Sequence, residues 1–210
     1  KWDNVPLAPS SVGATTAFLG DNEMAYRFLA LTVQSFGNST GQVMALKDYN
    51  YKNLGTWFDL ADQLNPHSNY VPFLAGYYFG ANQDPSQLMP VINYLRHVGT
   101  YADPDKWRYL GQAVFLARHK MKNMPLALQL ADEMAKTYKP GMPAWSLQMK
   151  AIIASDMGEK EMAYRLMLDD LQHRSGGMDP AEVNYMVDEI CHHILTKEQR
   201  GASPLCQQIK

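Results

Sequence analysis

Apolar segments separated by short polar connections run the length of the chain. They predict helices over roughly 9–19, 22–36, 50–64, 69–81, 85–98, 104–119, 124–138, 143–156, 160–173 and 180–196. Leu and Ala total 43 against 16 for Val plus Ile, a bias toward helix formers over β-branched strand formers. Asp84-Pro85, Asp103-Pro104 and Asp179-Pro180 each set a side-chain acceptor before a proline. Proline at a first helical position loses no needed amide donor, so each pair predicts a helix start. Asp179 with Glu182 has the spacing of a capping box, and Ser68 with Pro72 and Asn123 with Pro125 also fit first turns. Segment 37–49 is less regular and is expected to contain at most a short helix. No strand is needed, so the expected class is all-α, with connections short enough for antiparallel hairpins.

One stretch occurs nearly twice. GDNEMAYR fills Gly20 to Arg27 and GEKEMAYR fills Gly158 to Arg165, identical at six of eight positions and starting 138 residues apart. That distance is close to four times a period of about 34 residues, which points to a duplicated structural unit. Trp107, Leu110 and Gly111 give W-x-x-L-G, the opening of a tetratricopeptide repeat. Gly76 and Phe79 match the small and aromatic positions one unit earlier. Leu54, Phe58, Ala61 and Pro66 match a second helix and its closing proline. Ala151, Gly158 and Ala163 supply the corresponding positions of the last unit, and in that register Gly20 and Ala25 fall where Gly158 and Ala163 do.

The chain thus resembles the tetratricopeptide family over roughly 20–175. It departs at Leu54, where a small residue is usual, in the irregular 37–49 segment, and in one residue inserted before Pro140. The resemblance implies a right-handed α-solenoid of four to five antiparallel helix hairpins. Residues 1–19 would be an N-terminal extension with a partial first helix, and 176–210 a capping helix and tail. It also implies a function: the first helices of such hairpins line a concave groove that holds a peptide or a partner helix. In this register the groove positions are Tyr70, Phe73 and Tyr77, then Arg108, Gln112 and Phe115, then Trp145 and Gln148. Aromatics beside Arg and Gln suit an extended or helical peptide. The expectation is a non-catalytic protein-interaction scaffold. Its rivals are a structural subunit that self-associates through charged outer faces, and a helical enzyme or metal protein.

Candidate chemistry changes this picture little. Glu189, Cys191, His192 and His193 invite a metal reading, but adjacent helical histidines point about 100° apart and do not readily share one ion. Ile190 and Ile194 are expected to face inward on a capping helix. The 13 methionines, Met121 and Met124 among them, read as core filler or adaptable contact surface rather than a copper site. Ser10-Ser11 and His67-Ser68 offer a nucleophile and a base in type only, with no G-x-S-x-G, phosphate loop or H-E-x-x-H. No catalytic residue, metal or cofactor is assigned. Asp169-Asp170 reads as a solvated face, and Asn38-Ser39-Thr40 is a glycosylation sequon only in a secreted eukaryotic chain.

Charge and hydropathy narrow the partner. A formal charge of −2 argues against nucleic-acid binding through a basic surface. The partner is therefore expected to be a protein or peptide. Residues 105–150 hold eight Lys or Arg against three acids, and 151–198 hold four against ten, a polarity able to orient a partner or favour self-association. No apolar run reaches the roughly 20 residues of a transmembrane helix, and no signal peptide is evident. The opening at Lys1, with Trp2 beside a Pro-rich, linker-like Val5 to Ser10, raises the expectation of a soluble module in a membrane-protein complex. Cys191 and Cys206 leave a single bridge open, and the compartment with it.

Overall fold

The computed structural model describes residues 4–37 and 44–207. Every regular element among them is helical: α1 (Ser11–Thr16), α2 (Asn22–Ser35), α3 (Tyr51–Leu64), α4 (Tyr70–Phe73), α5 (Met89–Gly99), α6 (Trp107–Phe115), α7 (Met124–Lys136), α8 (Trp145–Asp156), α9 (Lys160–Arg174), α10 (Pro180–Glu189), α11 (Lys197–Ala202) and α12 (Pro204–Gln207). Three of them run on into wider π turns, at Leu74–Tyr78, Leu116–Lys120 and Ile190–Ile194. The all-α expectation holds. The sequon at Asn38 and the tryptophan at position 2 lie outside the described residues; of segment 37–49, only a short 3-10 turn at Leu46–Asp48 is regular among them.

The chain divides into two compact units, Lys1–Asn123 and Met124–Lys210. In the first, α2 packs on α3, α3 on α5, and α5 on α6. Its core is large and aromatic: Leu54, Phe58, Phe79, Ile92, Leu95 and Leu110 are fully buried, and the Phe58 and Tyr94 rings stack at 4.9 Å. In the second, α8 lies against both α7 and α9. Its core is built of smaller and more flexible side chains, Ala151, Ala154, Ala163, Met167, Ile190, Cys191 and Ile194.

The duplicated octapeptide does the same job twice. Gly20 and Gly158 have φ of 86° and 82°, a left-handed conformation that glycine adopts without steric cost. Nothing lies within 4 Å of where a Cβ would stand on either, so backbone conformation, not space, is the reason for glycine. Each turn then starts a helix in which Ala25 or Ala163 is buried. Glu23–Arg27 and Glu161–Arg165 form matching ion pairs, both at 2.8 Å.

Some start signals act differently from their sequence reading. Asp179 caps α10 in a full capping box with Glu182. Asp84 caps only the 3-10 turn Pro85–Gln87, and α5 begins at Met89. Asp103 does not cap α6, which begins at Trp107 after a turn containing Asp105 at φ 68°; its carboxylate instead meets His67 Nδ1 at 3.0 Å. The opening is not a free linker. Val5 is buried, and its carbonyl and that of Pro6 accept from Asn53 Nδ2 at 2.8 Å and Trp57 Nε1 at 2.7 Å. Polar α3 side chains thus strap residues 5–8 to the first unit. Asp170, expected on a solvated face, is 5% exposed and pairs with Arg174. Burial raises its carboxyl above the usual range, and Arg174 pulls it back.

Cys191 and Cys206 form a disulfide with Cα atoms 5.7 Å apart. It ties the C-terminal tail, where Leu205 and Cys206 rest against the second core. For a bridge spanning 15 residues, loop-closure entropy gives about 3 kcal/mol. Cys206→Ser should therefore lower the melting temperature of the second unit, and added reductant should then have no further effect; equal melts for variant and parent would contradict the assignment. In the first unit, Trp107 is 8% exposed. Trp107→Ala should cost about 3–5 kcal/mol in chemical denaturation, and an unchanged midpoint would remove Trp107 from the core.

Candidate functional site

Two glycines set the geometry. Gly76 and Gly80 are buried four residues apart on the continuation of α4. A Cβ on Gly76 would lie 2.9 Å from Gln112 Cγ, and one on Gly80 would lie 3.2 Å from the Leu116 methyls. The glycines thus leave room for the Gln112 and Leu116 side chains of α6 and its continuation. Gln112 Nε2 uses the proximity to donate to the Gly76 carbonyl at 3.2 Å. That bond reaches a main-chain acceptor already in a helix and fixes the register of the two helices.

A cleft of ≈ 420 Å³ opens over this contact, with Gly76 and Gly80 in its floor and Tyr77, Gln112, Phe115 and Lys120 among its lining. Both walls contain π turns at this level, a distortion that widens a helix and recurs at functional sites. The rims are aromatic. Phe73 and Tyr77 lie 4.9 Å apart, Phe115 sits 5.0 Å from His119, and Tyr70 donates to Gln34 at 2.6 Å. Tyr70, Phe73, Tyr77 and Phe115 are all well exposed, so a row of large rings faces water in the first unit. Among the described residues, no acid lines the cleft.

Of the residues expected in a groove, Tyr77, Gln112 and Phe115 meet in this cleft, and Tyr70 and Phe73 extend it along α4. Arg108 lies one turn before Gln112, outside the lining. It is exposed, pairs with Asp105 at 3.0 Å and stacks on Trp107 at 5.2 Å. Trp145 and Gln148 belong to the second unit. Trp145 is exposed, but Gln148 is 2% exposed: its amide faces the interior and is not offered to a partner. Gly80, Leu116 and Lys120 were missed in the sequence; the G-x-x-x-G spacing of Gly76 and Gly80 was the available signal.

A second polar cluster lies elsewhere in the first unit. Asp62 Oδ2 accepts from Tyr101 at 2.6 Å and pairs with His97 Nε2 at 3.2 Å. Lys106, 1% exposed, donates to the Ser68 carbonyl at 2.7 Å. Burial pushes the Lys106 ammonium below its ordinary pKa, against the pull of Asp103 and Asp62. Burial and the Asp62 hydrogen bond push the Tyr101 phenol up, which makes it a poor proton donor near neutrality. Ser68 Oγ accepts from the Tyr26 hydroxyl at 2.6 Å, and His67 Nδ1 meets the Asp103 carboxylate. The cluster pins α3 and α5 to the 101–106 connection. In the second unit the Cys191 sulfur is in the disulfide, and the His192 ring pairs with Asp188 at 2.7 Å.

Gly76→Ala should displace Gln112, break its bond to the Gly76 carbonyl and fill the cleft floor. Overpacking of this kind costs about 1–3 kcal/mol, to be read as a lower denaturation midpoint; an unaltered midpoint would mean that the two helices are not held at this distance. No family model, no curated protein and no solved structure matches this chain.

Proposed function

We propose that the chain is a non-catalytic protein-interaction module of tetratricopeptide type, a right-handed α-solenoid whose first-unit cleft receives a peptide or partner helix. The observation that carries this reading is the exposed aromatic row over the cleft, Phe73, Tyr77 and Phe115 around the half-buried amide of Gln112. Contiguous exposed apolar patches mark interaction sites, and rings of this kind are typical binding anchors. Tyr77 and Phe115 give flat apolar area at small entropic cost, and Lys120 adds a charge at one end. Arg108, on the same stripe of α6 as Gln112 and Phe115, would meet a longer partner at the rim. The repeated glycine turn and helix start supports the family reading, and α10 would serve as the cap. The Cys191–Cys206 bridge supports an oxidising compartment, where a soluble module could serve a membrane-protein complex.

The rival, a structural subunit assembled through charged outer faces, would leave the cleft unused. The immobilised protein should capture a partner from native extract. Tyr77→Ala and Phe115→Ala should each weaken that capture by about 2 kcal/mol, the scale of a hot-spot residue, with melting temperatures nearly unchanged because both side chains are exposed. Undiminished capture by the double variant would overturn the cleft reading. If capture were instead lost on charge reversal at Asp169, the rival reading would stand.

A further inference from the structure

We propose that the Cys191–Cys206 disulfide is a reversible redox site, opened by a dithiol at Cys206, and that opening frees the C-terminal tail. The two cysteines stand differently. Cys191 is 1% exposed and belongs to the second core, whereas Cys206 is only half-buried. A cavity of ≈ 360 Å³ reaches both of them. His192, Lys197 and Arg200 line it, and among the described residues no acid does. His192 pairs with Asp188 at 2.7 Å, but Lys197 and Arg200 form no ion pair among the described residues. Cations beside a disulfide draw in an attacking thiolate and stabilise the one that leaves.

Little besides this bond holds the tail. Neither α11 nor α12 buries a residue, and each packs mainly on the other. Their hydrogen bonds also turn inward. Thr196 and Gln199 cap α11 reciprocally, and Gln207 Nε2 donates to the Gly201 carbonyl at 3.1 Å. Among the described residues, no hydrogen bond runs from 197–207 to the helices of the second unit. Leu205 and Cys206 are the tail residues that rest on the second core, and they do so partly buried. The remaining core side chains, Ala151, Ala163, Met167 and Met186 among them, sit on α8, α9 and α10 and are fully buried. Opening the bridge therefore loosens the tail and leaves the helices in place, a local opening rather than unfolding.

The chemistry is thiol–disulfide exchange. A thiolate of the dithiol bonds to Cys206 Sγ, and Cys191 Sγ leaves with the electron pair of the broken bond and takes a proton from water. The second thiol of the reductant then attacks its own sulfur in the mixed disulfide. Cys206 leaves as a thiolate and is protonated in turn. Two electrons pass to the protein, which ends with two thiols, and the dithiol ends as a disulfide. The bridge lies in the second unit, so the site is independent of the first-unit cleft.

Iodoacetamide labelling and hydrogen–deuterium exchange on the whole chain in native buffer, before and after dithiothreitol, test this. Dithiothreitol should expose both Cys191 and Cys206 to label without denaturant. Exchange on peptides covering 197–207 should quicken at least tenfold, while 145–174 is unchanged. Oxidised dithiothreitol should restore the tail's protection, and Cys206→Ser should show the fast tail with no reductant added. Lys197→Glu with Arg200→Glu should slow reduction at least tenfold in low salt, and added salt should narrow the difference. A bridge that yields only in denaturant would overturn the proposal. So would a tail still protected after reduction, protection lost across 145–174 as well, or a reduction rate indifferent to the two charge reversals.

Discussion

The close approach of α6 to the continuation of α4 is the contact on which the site depends. Two missing side chains, at Gly76 and Gly80, let Gln112 and Leu116 settle against a neighbouring backbone. A larger residue at Gly76 would push Gln112 aside, and one at Gly80 would press on the Leu116 methyls, so the cleft floor would change. The approach also explains the rims. Once the small residues hold the helices together, the large ones on the same faces, Phe73, Tyr77 and Phe115, have nowhere to go but outward. Phe58 and Phe79 nearby are instead fully buried.

Much of the fold was legible because helix starts and the duplicated octapeptide have local causes. Gly20 and Gly158 need only their own backbone torsions, so a sequence motif suffices to find them. The Asp179 capping box is equally local. The failures were non-local. Asp103 has the sequence of an N-cap, yet its carboxylate is taken by His67, 36 residues away. Val5 to Ser10 has the composition of a linker, but the amide of Asn53 and the indole of Trp57 bind part of it. Composition records what a segment can do in isolation, and a partner from elsewhere in the chain decides what it does.

The site was half legible for a similar reason. The expected register selects one helix face, and Tyr77, Gln112 and Phe115 do line one cleft. It could not say that Gln148, at an equivalent register position, would be buried, because the width of each helix's buried stripe is set by its own neighbours. Nor could it separate a polar cluster that does chemistry from one that fastens a loop. Asp62, His97 and Tyr101 contain the residue types of a catalytic site; Asp62 Oδ2 holds both partners and so bridges two helices and a connection, while Asp62 Oδ1 is buried with no hydrogen-bond partner among the described residues.

Hydrogen–deuterium exchange on the complex with the captured partner tests the central claim, that the first-unit cleft is the docking site, most directly. Protection should appear on peptides covering 70–81 and 107–120, the two walls of the cleft, while 160–195 exchanges as in the free protein. Protection confined to 160–195, with the cleft walls unaffected, would contradict the account.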